Sequence, residues 1–347
     1  MIESRKEDHI KISLNKEVEI EKNYWEDVKL FHNSAPEIDL DDIDLEVEFL
    51  NKKLSAPIMI AGITGGYKGA TNINETLASA AEEVGIGIGV GSQRAVIEND
   101  DLRDTYEVIK DYDIPLVVGN IGAPQLIEQQ DEEPLTVDKA KEALNMIDGD
   151  FLGIHFNYLQ EVCQPEGDLR AKNVLNSVEK IASKVPVIAK ETGGGISSDV
   201  AVKLEDAGVK AIDVGGMGGT SFAAVEHYRA DDETIKELSK HLWDWGIPTP
   251  VSIIECNRSV SVPLIGTGGI RNGIEAAKAL SLGADIVGIA GGILPSLMEG
   301  KEATVQYLKK FIYHMKVGLF LLGCHNPKEL TKQKLVLTGE LRDWVDI

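Results

Sequence analysis

A chain of 347 residues falls within the span of a single (β/α)8 barrel with insertions, and 43% hydrophobic content gives it a sizeable core. The formal net charge of −22 repels phosphate backbones and anionic lipid, which excludes nucleic acid and membrane as partners. Three cysteines, far apart and odd in number, make neither a disulfide framework nor a zinc-ligand spacing, and no apolar stretch of signal-peptide length opens the chain, so the expected location is cytoplasmic.

Residues 1–55 are highly charged and predict an N-terminal extension packed on a second unit, residues 56–347. From residue 56 short apolar runs alternate with amphipathic stretches, as when helices cover parallel strands. The runs are 56–64, 86–93, 115–122, 151–157, 185–192, 211–218, 262–269 and 285–292, and eight is the barrel number. Between them, TNINETLASAAEEVG and RNGIEAAKALSLGA carry apolar residues at helical spacing and meet a glycine near their ends, a common C-terminal stop. A doubly wound open sheet alternates in the same way. Glycines and polar residues collect at the C-terminal end of nearly every run, however, which favours an α/β TIM (β/α)8 barrel with its site built from many loops. The connection after the sixth strand, residues 219–248, is long: it reads as a loop closing over substrate, or as a helix docked on the barrel or a neighbouring subunit. Residues 301–347 read as the last barrel helix and a short terminal helix.

A net-negative chain that binds an anion needs a local pocket of cations and backbone N–H groups. VPLIGTGGIRNG and, one strand later, DIVGIAGG supply one: glycines after a strand let N–H groups approach a phosphate at a helix N-terminus. Gly268, Gly269, Arg271, Gly291 and Gly292 are placed there. In HFNYLQEVCQPEGD a strand end is followed by many polar groups. Glu161 offers a hard oxygen ligand of the kind that holds Mg2+ with substrate phosphates, whereas Glu166 and Asp168 read as a solvated acidic loop. His155 is either functional or a satisfied strand-end histidine. Lys190 ends VPVIAKET, where its ammonium either forms a Schiff base or stabilises charge on a reduced flavin. Thr64, Gly65 and Gly66, Ser92 to Arg94, and Asn120 complete a ring suited to the edges of a planar heterocycle.

RKEDH at 5–9, ITGG at 63–66, GSQR at 91–94, HFNYLQEVCQPEGD at 155–168, AKETGGG at 189–195 and GTGGIR at 266–271 closely resemble, in order, the type 2 isopentenyl diphosphate isomerases. The resemblance implies conversion of isopentenyl diphosphate to dimethylallyl diphosphate with reduced FMN and Mg2+, NADPH serving as reductant without net redox change. It implies FMN contacts from Ile63, Thr64, Gly65, Ser92, Asn120, Lys190, Thr220, Gly269, Arg271, Ala290 and Gly291. Substrate contacts are implied for Arg5, Lys6, Ser92, Gln93, Arg94, His155, Asn157 and Gln160, metal ligation for Glu161, and catalytic roles for Gln160, Lys190 and His155. A tetramer or octamer is implied as well. Phe156 and Ile63 stand where the family often carries Leu and Met, both apolar exchanges. The rival reading is an FMN-dependent oxidoreductase, either a 2-hydroxy-acid oxidase or a nucleotide dehydrogenase whose nucleophile would have to be Cys163.

Overall fold

All eight apolar runs become parallel strands. In the computed structural model, which describes residues 2–130 and 132–345 and so leaves residues 1, 131, 346 and 347 outside it, they are β1 (Ile58–Ile60), β2 (Gly87–Gly89), β3 (Val117–Gly122), β4 (Phe151–Phe156), β5 (Val187–Glu191), β6 (Ala211–Asp213), β7 (Leu264–Thr267) and β8 (Ile286–Ile289). Each pairs with the next, and β8 pairs with β1, Val287 opposite Ile58 and Ile289 opposite Ile60. That closing pair removes the open-sheet alternative.

Alternation along the strands sorts the side chains. Met59, Val118, Ile188, Ala211, Ile265 and Ile286 share one buried cluster inside the barrel. Val47, Phe49 and Leu54 join it from the hairpin Val47–Phe49/Lys52–Leu54, an apolar plug entering from the end where the strands begin. Two residues further on, three of these strands point Asn120, Lys190 and Asp213 the same way, and β7 adds Thr267 above Ile265. An apolar floor therefore carries a polar layer at the C-terminal mouth.

The outer residues of the strands pack against the helices in the main core. Helix Ala70–Val84 buries Leu77, Ala78 and Ala81 and stops at Gly85, whose φ of 72° lets its N–H return to the carbonyls of Ala81 and Glu82. Helix Gly273–Leu282 starts where the Asn272 side chain accepts the N–H groups of Ile274 and Glu275. Among the described residues, no helix is long and apolar enough to cross a membrane.

The N-terminal extension serves both ends of the barrel. Its hairpin plugs the floor, while helix Ile2–Asn15 packs on helix Phe222–Arg229 at the mouth. Trp25, fully buried, donates its indole N–H to the carbonyl of Gly268 at 3.0 Å and ties the extension to the loop after β7. The 219–248 connection holds two helices, Phe222–Arg229 and Glu233–His241, and Trp243 donates to the carbonyl of Glu19 at 3.1 Å. It clasps the N-terminal segment. The C-terminal part departs from expectation: between helices Lys301–Phe320 and Gly339–Val345, strand Leu335–Leu337 pairs antiparallel with Val28–Leu30. Nothing local announces a strand of three residues whose partner lies at the other end of the chain.

Candidate active site

The predicted binding and catalytic residues line one cleft at the barrel mouth, apart from Gly65, Gly66, Gln93 and Gly292. With its open mouth and the solvent in it included, the cleft spans ≈ 1620 Å³.

The polar layer is a chain of bonds. Asn120 spends its amide N–H on the carbonyl of Val90 at 2.9 Å, which turns its Oδ1 toward His155 Nδ1, 2.8 Å away. That acceptor fixes the proton on Nδ1 and leaves Nε2 with a lone pair. Burial, with the charges of Lys190 and Lys6 and a smaller one from Arg5, pushes His155 down to about 3, so the ring is neutral. Across the next strand Lys190 Nζ donates to the carbonyl of Glu191 at 2.9 Å and sits 3.7 Å from Asp213 Oδ2. Both partners are acceptors, which suits a charge-stabilising cation and not an amine nucleophile. Glu191, pushed up to about 7 chiefly by burial, caps its own glycine loop: its Oε2 accepts the N–H groups of Thr192 and Gly193 at 2.6 Å, and that of Gly194.

Three glycine loops converge at one end of the cleft. Gly269 has φ 68°, and a Cβ on Gly219 would fall 3.0 Å from the Gly269 nitrogen and 3.2 Å from the Arg271 guanidinium. A Cβ on Gly291 would come 3.1 Å from Thr220 Oγ1. The backbones after β6, β7 and β8 thus form a cradle with Arg271 over it, and Arg271 is paired with Glu19 from the extension. Gly292 is not part of it, because its Cβ position faces the Tyr307 hydroxyl and not the cleft.

The same cleft has a cationic corner. Lys6 donates to the carbonyl of Ser92 and lies 3.0 Å from the Tyr106 hydroxyl; burial first, then Arg5, lowers it to about 7. Arg94 bonds Glu98 at 2.9 Å, Asp168 at 2.8 Å and Glu132, while Arg5 reaches Gln164 at 3.1 Å. The solvated-loop reading of Asp168 is corrected: it is buried between Arg94 and the Gln125 amide, because a guanidinium at the mouth needs a counter-charge. Glu166, about half exposed, keeps that reading in part while pairing with Arg229 at 2.8 Å.

Beneath this corner Glu161 is buried. Its Oε1 accepts from Asn157 at 2.8 Å and its Oε2 from the Asp168 N–H at 2.9 Å, and burial raises its carboxyl above the ordinary range. Asn157 Oδ1, also buried, has no partner. A carboxylate beside an orphaned amide oxygen suits a hard cation. Among the described residues no three His, Cys, Asp or Glu side chains group to hold a metal, so such a cation would need oxygens from the substrate.

Gln93 does not line the cleft. It is fully buried, donating to the carbonyl of Ala143 at 2.7 Å and accepting the N–H of Asn120 at 2.9 Å, so it braces the strand that carries Asn120. Gly65 is likewise structural: with φ 155° its Cβ position lies against the Tyr106 ring. Gln93→Ala strips two buried backbone groups of their partner and is expected to cost about 2–4 kcal/mol, at roughly 1–3 kcal/mol each, measurable by denaturant unfolding. A midpoint unchanged from wild type would restore Gln93 to the binding residues.

Sequence reasoning missed Glu226. It is fully buried, and its Oε1 accepts from His9 at 2.9 Å, Gln160 at 2.9 Å and Gln164 at 2.8 Å, while Oε2 accepts from Arg229 Nε at 2.6 Å. Burial alone would raise this carboxyl, but the bond and charge of His9, the charge of Arg229 and the Gln160 amide hold it at about 2. One carboxylate thus joins helix Ile2–Asn15, the loop after β4 and the helix after β6. Its local sequence, FAAVEHYR, carries no signal beyond an amphipathic helix.

The profile of the FMN-dependent dehydrogenases matches residues 153–337. An isopentenyl-diphosphate delta-isomerase of Picrophilus torridus is 45% identical over all of this chain and 99% of its own. The chain belongs to the isopentenyl-diphosphate delta-isomerase family. A second delta-isomerase, from Archaeoglobus fulgidus, is 47% identical over 99% of this chain and 98% of its own. Among solved structures, a mandelate oxidase superposes with TM-score 0.65 at 17% identity, covering 97% of this chain and 98% of that one, a likeness of fold alone. The delta-isomerase family and the flavin-enzyme profile together bear out the resemblance seen in the motifs.

Proposed function

We propose that this chain converts isopentenyl diphosphate to dimethylallyl diphosphate, with FMN and a diphosphate-bound Mg2+ in the one cleft. The observation that carries the reading is that one cleft, lined also by Lys190, holds two groups suited to anions: the glycine cradle with Arg271, from the loops after β6, β7 and β8, and the corner of Arg5, Lys6 and Arg94 with Glu161. The cradle fits FMN because a side chain at Gly219 or Gly291 would fill it. Glu161 with the free Asn157 oxygen fits Mg2+.

Bound and reduced, FMN supplies an electron-rich ring that stabilises positive charge developing on an allylic unit. The residues do the rest. Arg5 and Arg94 take the diphosphate in exchange for carboxylate partners and Lys6 in exchange for the Ser92 carbonyl and the Tyr106 hydroxyl, and His155 donates to it from Nε2 once the anion offsets the cations that, on top of burial, keep the ring neutral and the ring takes a second proton. Gln160, its amide nitrogen held by Glu226, presents Oε1 as an acceptor beside Asn157 and positions the substrate. Helix Ile2–Asn15 covers the site and excludes water. NADPH serves as reductant, and the enzyme is a cytoplasmic tetramer or octamer.

The dehydrogenase alternative lacks its nucleophile: Cys163 is buried away from the cleft and burial raises its thiol. Lys190→Ala removes a charge-assisted donor of roughly 1.5–3 kcal/mol and is expected to raise the Kd for reduced FMN about ten- to a hundredfold, measured by fluorescence titration; an unchanged Kd would remove Lys190 from the flavin site. The deciding assay supplies protein with FMN, NADPH, Mg2+ and isopentenyl diphosphate anaerobically. Dimethylallyl diphosphate far exceeding the NADPH consumed is the expected result, and FMN binding without product would favour the oxidoreductase.

A further inference from the structure

Within the polar layer, His155, Lys190 and Asp213 form a row across β4, β5 and β6, with Lys190 opposite both of the others. The ion pair of Lys190 with Asp213 spans 3.7 Å, and the two side chains are 16% and 5% exposed. Asp213 has little else: the Gly215 N–H reaches Oδ1 at 3.3 Å, and the buried Thr267 hydroxyl on β7 makes no hydrogen bond. Glu191, next to Lys190, differs in kind, because backbone N–H groups of its own loop hold its carboxylate. The charged groups facing Asp213 are thus Lys190 and, one residue on, Glu191; Thr267 faces it from β7, and the neutral His155 lies beyond Lys190.

A buried ammonium already matched by a buried carboxylate presents no net charge to a ligand. It can compensate a new anion only when its partner gives up charge, and a carboxylate does so by protonation. We propose that Asp213 is a positioning residue for flavin charge: it pairs with Lys190 while FMN is oxidised and takes up a proton on reduction, releasing the ammonium to the anionic reduced flavin. Two electrons and one proton go to the flavin, and a second proton goes to the Asp213 carboxylate. Burial raises the Asp213 carboxyl and Lys190 lowers it, so weakening the pair moves it toward the acid form. The inference rests on the flavin reading of this cleft.

The test is the midpoint potential of the FMN-loaded enzyme as a function of pH, recorded with the absorption spectrum of the reduced flavin. Each proton taken up in a two-electron reduction contributes about 30 mV per pH unit. Wild type is expected to show the anionic reduced spectrum with a slope of about 59 mV per pH unit, and Asp213→Asn the same spectrum with about 30 mV. An anionic spectrum with the shallower slope in wild type, a neutral reduced spectrum in wild type, or an undiminished slope in the variant would each overturn the proposal, the last by giving the proton to Glu191. The wild-type measurement decides even where the variant does not fold. Failure of wild type to retain FMN on gel filtration would overturn the flavin reading itself and the inference with it, and is seen before any potential is measured.

Discussion

Glu226→Gln is expected to destabilise the protein by about 3–5 kcal/mol, the range for removing one partner of a buried ion pair, and to lower kcat/KM by about a hundredfold or more. The carboxylate accepts from four side chains on three elements, and an amide in its place turns an NH2 group toward donors. His9 then no longer ties down helix Ile2–Asn15, and Gln160 loses the bond that orients it. Retention of FMN should be untouched, since Glu226 lies outside the cradle. The pH dependence follows from a folded carboxyl near 2, below its unfolded value. A depressed carboxyl stabilises fully above the unfolded pKa, about 4.3 for glutamate, and its contribution is lost as pH falls from there through about 2. The variant should lack that part of the acid transition. Urea unfolding between neutral and acid pH, with steady-state kinetics, checks both parts; wild-type stability and turnover would leave Glu226 as a bystander.

Glu161→Ala is expected to raise the Mg2+ concentration for half-maximal turnover by about a hundredfold or more, given that even outer partners of a ligand are worth 10–100-fold. Because Glu161 also receives Asn157 and the Asp168 N–H, Glu161→Gln serves as the control that keeps the shape and loses the charge. Both variants should bind FMN as wild type does. Burial raises the Glu161 carboxyl, so in the wild type metal affinity should fall with decreasing pH earlier than for an exposed glutamate, protonation displacing the cation. Metal titrations of activity at several pH values measure this, and an unshifted Mg2+ requirement in the alanine variant would remove Glu161 as the ligand.

The eight strands and much of the mouth they carry were legible in the sequence because their causes are local. Alternation puts Ile188 inward and therefore Lys190 inward, and a glycine pair after a strand leaves N–H groups open whatever lies nearby. Gln93 shows the limit of motif reading: GSQR points to the cleft as a string, yet Ser92 and Arg94 reach the cleft while Gln93 turns into the protein to brace Asn120. Asp168 shows it again, since an acidic loop looks solvated until Arg94, a residue of another loop, is seen against it.

By itself the sequence determined the strands, their order, the glycines after the last strands and the presence of Arg5, Lys6, Glu161 and Lys190 at strand or chain positions that face a mouth. Closure of β8 on β1, the pairing of Val28–Leu30 with Leu335–Leu337, the Glu226 hub and the Lys190–Asp213 pair were decided only by the tertiary structure. The physical reason is the same for all four. Periodicity and turn chemistry report the energy of a segment with itself, whereas a buried charge or a short strand is stable only through a partner whose distance along the chain carries no local trace.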